Sequence, residues 1–425
     1  RSVTRPSRIP TARTEASPGS RRTTVPLSAK AISTACSSAV NAIILGARML
    51  LAGEADYVLA GGSESLSMFH LNGFNSLMIL DHEQCRPFDA TRQGLNLGEG
   101  AAYVVLQRTD SLRQDTAVQA YVAGYGNRCD AFHQTATSPD GVGAYLAMSD
   151  ALSMAHIAPK EVDYINAHGT GTLDNDRSES AAITKLFGNQ PPCVSSTKSY
   201  TGHTTSASGS IETVICLIAM QEHFIPVNIP WANQDADCLT PYVEAGASKE
   251  LHTILCNSFG FGGNDSSLLL TDYEVQLPAT QPVKTRILAE SEVCSSEDLI
   301  GLKEFISPIE TRRMSKMMKA SLLTSIKCLK EAGIQQPDAI IIATQFGMLE
   351  NGEKILDNIV TNGEDGISPT QFMQSTHNTL AGALAIRFNC NGYNITYSQG
   401  RESLDWAIND ARKLLAEGKV KTVLV

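Results

Sequence analysis

One cysteine in this chain stands where a sulfur nucleophile would be activated. Cys36 lies within the small-residue segment Ser-Thr-Ala-Cys-Ser-Ser-Ala, immediately before a helical pattern that ends near Gly53. Unpaired N–H groups and the positive dipole end of a helix start both favour thiolate, the nucleophilic form of cysteine. The pattern therefore marks Cys36 as a candidate nucleophile with room for a bulky acyl group. A buried structural cysteine is the alternative interpretation.

A histidine follows a predicted buried strand, in the segment Asn-Ala-His-Gly-Thr-Gly-Thr around His168. Open α/β sheets place their ligands at the carboxyl ends of strands. The two glycines allow close backbone approach, and Thr170 and Thr172 can hydrogen-bond an extended polar ligand. The alternative is a structural histidine in a loop.

A polar loop carries a second histidine. Lys198 and His203 stand five residues apart in Ser-Ser-Thr-Lys-Ser-Tyr-Thr-Gly-His, which runs into a helical pattern beginning near Gly209. Glu212 lies one turn into that helix and could orient the loop. A solvated connection is the alternative.

A glycine-dense turn follows a further predicted strand, in Asn-Ser-Phe-Gly-Phe-Gly-Gly-Asn around Phe261. Exposed backbone N–H groups of such a turn can bind a phosphate or stabilise an oxyanion. The pattern is neither GxGxxG nor a P-loop, so it does not favour a nucleotide.

Composition narrows the function classes. The 34 basic and 44 acidic side chains give a net charge of −10, which opposes general nucleic-acid affinity but allows a local basic patch. No apolar run reaches the roughly 18 residues of a membrane-spanning helix. The ten cysteines lack metal-site spacing, so all except Cys36 are predicted to be reduced, buried thiols of an intracellular protein.

The elements that must position these residues alternate between strand and helix. Strands are predicted at 56–60, 101–106, 162–166, 254–257 and 339–343, and helices at 39–51, 145–156, 179–186, 209–222, 313–332 and 403–415. Such alternation favours an α/β fold with mostly parallel, helix-covered sheets.

The two ends differ from the rest. Residues 1–30 hold six Arg and one Lys against one Glu, with four prolines, and predict a disordered or non-native basic tail. A transit peptide is the alternative, although prolines oppose its amphipathic helix. The chain begins at Arg1 and stops at Val425 within a strand pattern, so we expect a fragment incomplete at both ends.

One internal repeat is present. The segment starting Ala47-Arg-Met-Leu-Leu-Ala is echoed by Ala411-Arg-Lys-Leu-Leu-Ala, and carrying this alignment back puts Gly400 where the first copy has Cys36. The second copy is thus predicted to keep the scaffold without the thiol. We divide the chain into the first region (31–272), a linker (273–284) and the second region (285–425).

The four segments described above, in this order, resemble the signatures of β-ketoacyl-[acyl-carrier-protein] synthases of the elongating, thiolase-like Cys-His-His class. A biosynthetic thiolase would need a second cysteine in the glycine turn, and the initiating synthases have Asn where this chain has His203. The resemblance covers 31 to about 272. It implies a thiolase-like fold and no metal or nucleotide cofactor, since substrates ride on the phosphopantetheine arm of acyl carrier protein.

The resemblance also implies roles. Cys36 would hold the acyl chain, with the backbone N–H groups of Cys36 and Phe261 as its oxyanion hole. His168 and His203 would stabilise the enolate formed from malonyl thioester, and Lys198 would support this histidine pair. Thr170 and Thr172 would bind the phosphopantetheine arm.

The second region resembles the start of another synthase-like subunit, of the non-catalytic, chain-length-factor type; His377 in it is predicted to be structural. We hypothesise that it supplies the sheet layer that residues 1–30 do not; a joined reading of two adjacent genes is the alternative. The expected protein is a cytoplasmic condensing acyltransferase of fatty-acid or polyketide synthesis. It would bind acyl carrier protein and form a homo- or heterodimer, with no nucleic-acid or membrane partner. An inactive fragment or scaffold subunit is the other hypothesis.

Overall fold

A computed structural model describes residues 28–134, 136–246, 248–277, 283–363 and 367–425. The chain divides into two units, Arg1–Lys30 and Ala31–Val425. The predicted basic tail therefore lies outside the described residues except for 28–30, and the predicted linker lies partly outside them. No described helix combines the length and the apolar character needed to cross a bilayer.

The strands of the described residues fall in both regions. They are β1 (Ile32–Ser33), β2 (Tyr57–Glu64), β3 (Gly100–Gln107), β4 (Tyr121–Cys129), β5 (Tyr164–Asn166), β6 (Cys193–Ser195), β7 (Thr253–Gly260), β8 (Asn264–Thr271), β9 (Ala339–Ala343), β10 (Asn394–Tyr397) and β11 (Val423–Leu424). The predicted strands all lie within or overlap these elements.

The α-helices alternate with the strands. They are α1 (Ser38–Leu51), α2 (Met68–Ser76), α3 (Val142–Ala155), α4 (Leu173–Phe187), α5 (Lys198–Thr201), α6 (Ser208–Gln221), α7 (Pro308–Thr311), α8 (Lys316–Ala332), α9 (Leu349–Asn362), α10 (Pro369–Met373), α11 (Thr379–Phe388) and α12 (Ser403–Ala416). Each predicted helix overlaps one of them, although α4 begins six residues before its predicted start at 179.

The strands form three sheets, in the orders β1-β10-β9-β11, β2-β3 and β4-β8-β7-β5-β6. Helices α1 and α6 lie between the second and third sheets, where Val40, Ile43 and Cys216 share an apolar cluster with Ile254 and Leu268. Helices α3 and α4 cover the other face of the five-stranded sheet. The predicted α/β fold with helix-covered sheets is confirmed.

The sheets are mixed rather than mostly parallel. The β2–β3, β4–β8, β7–β8 and β1–β10 pairs are antiparallel. A short turn joins β7 to β8, and a connection of that length can join only antiparallel strands, since a parallel pair needs a long crossover. The short glycine-dense turn therefore requires β7 and β8 to form an antiparallel hairpin.

The second region packs directly on the first. Strand β1 pairs with β10, which continues into the parallel strands β9 and β11. The buried Arg48 on α1 donates to Asp410 on α12 at 2.6 Å. The second region therefore supplies a sheet layer beside β1, as our hypothesis about this region requires, whereas β2–β3 remains a two-stranded sheet.

In both copies of the internal repeat, the helix is preceded by the same backbone conformation. A one-turn 3-10 helix precedes each, Ala35–Ser37 before α1 and Gly400–Glu402 before α12. Each turn starts in the left-handed region, with φ 53° at Ala35 and 67° at Gly400. Gly400 therefore corresponds to Ala35.

The predicted equivalence of Gly400 with Cys36 is wrong by one residue, because Arg401 occupies the thiol position. Aligning the identical Ala-Arg and Leu-Leu pairs matches Ala47 with Ala411. Aligning the helix starts matches Ser38 with Ser403, which is a shift of one residue from that sequence alignment. The second copy still has no thiol at this position.

The other nine cysteines are all free, as predicted, but their burial is uneven. Cys294 is exposed, and Cys193 and Cys328 are half-buried, so the prediction of burial is wrong for these three. Their neighbouring residues in sequence could not show how much of the fold covers them.

Candidate active site

Cys36 lies in the 3-10 turn that leads into α1, as the sequence predicted, but its surroundings change its chemistry. The residue is only 6% exposed. Burial raises the pKa of its thiol to about 12, although the Lys198 charge and the N–H groups of Phe261 and Cys36 lower it. The nearby backbone N–H groups favour the thiolate, but desolvation disfavours its charge more, so the net effect of the site is to keep the thiol protonated.

Both predicted histidines reach the sulfur's neighbourhood. His203 Nε2 lies 3.1 Å from Cys36 Sγ. The rings of His168 and His203 meet edge to face, with centroids 5.4 Å apart. Residues from three distant parts of the chain thus converge on one point.

Both imidazoles are neutral at pH 7. Burial holds the pKa of His168 and of His203 well below the usual range, and the nearby Lys198 charge lowers both further. A neutral imidazole has one N–H donor and one acceptor nitrogen. His203 Nε2 can therefore accept the Cys36 S–H, with its Nδ1 facing Ser208 Oγ at 3.4 Å.

Lys198 and Glu212 form a buried ion pair behind the histidines, each about 1% exposed. Burial raises the pKa of Glu212, whereas the Lys198 charge and hydrogen bond lower it. Ser208 Oγ also donates to Glu212, at 3.4 Å. Glu212 thus contacts the lysine of the loop, which is the placement that the sequence suggested.

Glu179 on α4 is a site residue that the sequence interpretation missed. Its carboxyl oxygens accept the N–H groups of His168 at 2.9 Å and Gly169 at 2.8 Å. It also accepts Asn257 Nδ2 at 3.1 Å, which links the histidine turn to β7. Its one sequence signal was an acidic residue at the start of the helix predicted over 179–186.

The glycine turn lies against the cysteine. A side chain at Gly260 would bring its Cβ within 2.5 Å of Thr34 O and 3.0 Å of Cys36 N, so only glycine fits there. Ser258 Oγ donates to the Cys36 carbonyl at 3.1 Å. The turn continues through Gly262 and Gly263, both at positive φ. This close approach is what brings the Phe261 N–H to the sulfur.

A cavity of about 270 Å³ opens onto the sulfur. Cys36, His168 and His203 line it together with Thr170, Thr172 and Phe261. Thr170 and Thr172 join through their hydroxyls at 2.8 Å. The structure therefore brings all the predicted first-region site residues to one cavity or directly behind it. The described residues include no cluster of three metal-ligating side chains.

Family models match most of the chain. The model for the "Beta-ketoacyl synthase, N-terminal domain" matches residues 28–111, and that for the C-terminal domain matches residues 119–231. A second N-terminal-domain model of the same name matches residues 291–425. The two regions thus each carry a match to this family.

Individual relatives cover the first region. The 3-oxoacyl-[acyl-carrier-protein] synthase 2 of Coxiella burnetii is 39% identical over 251 residues, which are 56% of this chain and 61% of that protein. The chain thus spans about three fifths of the length of such curated relatives.

Two solved structures are also similar. The ishigamide ketosynthase/chain length factor has a TM-score of 0.54 and 34% identity, with 57% of this chain and 60% of that chain covered. The PfaC keto synthase-chain length factor has a TM-score of 0.74 over 93% of this chain and 53% of that chain. At 20% identity, the latter likeness concerns the fold alone.

Proposed function

The chain belongs to the β-ketoacyl synthase family, and on that premise we propose that its first region catalyses a decarboxylative condensation between an acyl thioester and a malonyl thioester on acyl carrier protein. One observation carries the proposal: a buried sulfur lies 3.1 Å from one of two neutral, adjacent imidazoles. That arrangement suits a thiol that must be both acylated and released.

The first half-reaction is acyl transfer. His203 Nε2 takes the Cys36 proton as the sulfur attacks the thioester carbonyl carbon. The oxyanion that forms is stabilised by the N–H groups of Phe261 and Cys36. The carrier thiolate leaves and receives the proton, so Cys36 becomes an acyl thioester and His203 returns to its neutral form.

The second half-reaction is condensation. Once Cys36 is acylated, its sulfur no longer donates to His203 Nε2, and His203 can carry its single proton on Nε2 while its Nδ1 accepts from the Ser208 hydroxyl. The His203 Nε2–H and the imidazole N–H of His168 are then available to the malonyl thioester oxygen. CO₂ leaves, and the electron pair of the broken C–C bond forms an enolate that the two donors stabilise. The enolate carbon attacks the carbonyl carbon of the acyl thioester, and the Cys36 thiolate leaves and takes a proton from solvent water.

The second region acts, in this proposal, as a non-catalytic chain-length-factor-like subunit within the same chain. Its thiol position is held by the exposed Arg401. Phe372 of α10 packs on Phe74, a cavity residue, with ring centroids 5.4 Å apart. The partner would be acyl carrier protein in the cytoplasm, and dimer formation with a synthase-like subunit is part of the same proposal.

Mass spectrometry tests the proposed function. The full chain is incubated with an acyl-[acyl-carrier-protein] thioester and digested under conditions that preserve thioesters. We expect an acyl adduct on Cys36 that is absent in Cys36→Ala. Well-folded protein without any adduct would contradict catalysis and favour the scaffold hypothesis.

A further inference from the structure

A fully buried side chain of the second region touches the catalytic turn of the first. Asn378, immediately before α11, is 0% exposed. Its Nδ2 donates to the Phe261 carbonyl at 2.8 Å and to Asn264 Oδ1 at 2.8 Å. One amide group thus holds both ends of the glycine turn between β7 and β8.

The backbones of the two regions approach closely beside this amide. A side chain at Gly382 on α11 would bring its Cβ within 2.8 Å of the Gly262 carbonyl oxygen. A Cβ at Gly262 would lie 3.0 Å from Asn378 Nδ2. The turn therefore has little room to move toward the second region.

The same contact continues to α1, the helix that directly follows the 3-10 turn with the nucleophile. Asn264 Nδ2 donates to Asn394 Oδ1 on β10 at 3.0 Å. The Asn394 N–H donates to Asn127 Oδ1 at 2.9 Å, and Asn127 Nδ2 donates to Asn41 Oδ1 on α1 at 2.7 Å. A run of buried amides thus connects the turn with α1 through the second region.

We propose that Asn378 is a positioning residue: by holding the Phe261–Gly262 peptide it restrains the Phe261 Cα, which that peptide shares with the Gly260–Phe261 peptide, whose N–H points at Cys36 Sγ. The region without a nucleophile thereby completes the oxyanion site of the region that has one. Gly260 confines the turn from the cysteine side, and Asn378 confines it from the opposite side. The catalytic part of this inference rests on the proposed function, whereas the effect on the thiol does not.

The test replaces Asn378 by Ala, and by Leu, which fills similar space without a donor. Asn409→Ala is the matched control, since Asn409 also joins the regions, through Nδ2 to Glu54 Oε1 at 2.7 Å, but on the surface. Circular dichroism and thermal melting select the folded Asn378 variant for comparison.

The first measurement is the rate of Cys36 alkylation by iodoacetamide, followed by mass spectrometry from pH 7 to pH 9. Loss of a correctly aimed N–H destabilises the thiolate, so we expect the rate to fall about three- to tenfold in Asn378→Ala or Asn378→Leu at each pH. Asn409→Ala should react like the parent chain. An unchanged rate, or an equal fall in Asn409→Ala, would overturn the proposal.

The second measurement separates the two half-reactions. Acyl transfer from acyl-[acyl-carrier-protein] uses the Phe261 N–H, and we expect it to slow about ten- to a hundredfold. Malonyl decarboxylation uses the histidine pair and should change less than twofold. Equal losses in both would indicate general damage and contradict a positioning role. A parent chain without acyl transfer would refute the proposed function, and the alkylation rates would still decide the role of Asn378.

Discussion

The starts of α1 and α12 have the same backbone conformation but different side chains and surroundings. Each follows a short strand and a one-turn 3-10 helix whose first residue is left-handed. At the next position, Cys36 is buried under the glycine turn and beside His203, whereas Arg401 is exposed. A helix start therefore makes a candidate site only where other parts of the chain cover it and bring the remaining groups.

The largest expected effect comes from moving the thiol between the two helix starts. We expect Cys36→Ala to reduce condensation by a factor on the order of 10⁶, as removal of a nucleophile does elsewhere. Combining it with Arg401→Cys should restore nothing, because the new thiol would be exposed and would have no paired imidazoles. Peptide mass spectrometry after exposure to acyl thioester checks this, and an acyl adduct on the new thiol would mean that the helix start alone suffices.

The two ion pairs that join the regions, the buried Arg48–Asp410 and the partly exposed Lys413–Glu54, should contribute unequally to the free energy of unfolding. Arg48→Ala leaves the Asp410 carboxylate buried without its partner, and we expect a loss of about 3–5 kcal/mol in the free energy of unfolding. Lys413→Ala removes the partly exposed contact with Glu54 and should cost less than about 1 kcal/mol. Urea denaturation of the full chain measures both. Similar losses in the two variants would contradict this ranking.

The histidines of the two regions should differ sharply. His203→Ala removes a donor at the cavity, and we expect condensation to slow by about 10²–10³-fold. His377→Ala in the second region should leave the rate within twofold, because His377 Nδ1 accepts the Met348 N–H at 3.1 Å and serves the local backbone. Steady-state rates at saturating acyl thioester decide between them. A large loss in His377→Ala would give the second region a direct part in the chemistry.

The smallest expected effect is a difference in the pH dependence of two thiols. Burial raises the Cys36 pKa to about 12, so the thiol is protonated at neutral pH and its thiolate fraction grows about tenfold per pH unit up to that value. Iodoacetamide should therefore alkylate Cys36 faster at each step from pH 7 to pH 9, without a plateau. The exposed Cys294 should react faster than Cys36 at pH 7. A plateau for Cys36 below pH 9 would show that the helix start outweighs burial.

The sequence predicted the local parts of the site well. His168 and Phe261 follow predicted strands, Cys36 precedes a predicted helix, and all three lie in segments of small or glycine residues. Such short-range patterns define the backbone that carries a side chain. The same patterns predicted that the chain is α/β. They misplaced the equivalent of Cys36 by one residue, because identities between two helices do not report the backbone register at their starts.

The contacts between distant segments were beyond sequence patterns. Glu179 and Asn378 lie 11 and 117 residues from the backbone groups that they hold. Their roles arise only when α4 and the second region fold against the site.

The amino-acid order by itself determined which side chains end strands, which turns require glycine, and that the second copy has no thiol at the helix start. Only the tertiary structure decided that Cys36 is a protonated thiol, that two neutral imidazoles meet beside it, and that the second region touches the catalytic turn. The physical reason is that backbone conformation depends mainly on near neighbours in sequence, whereas desolvation and charge depend on every group that the fold packs around an atom.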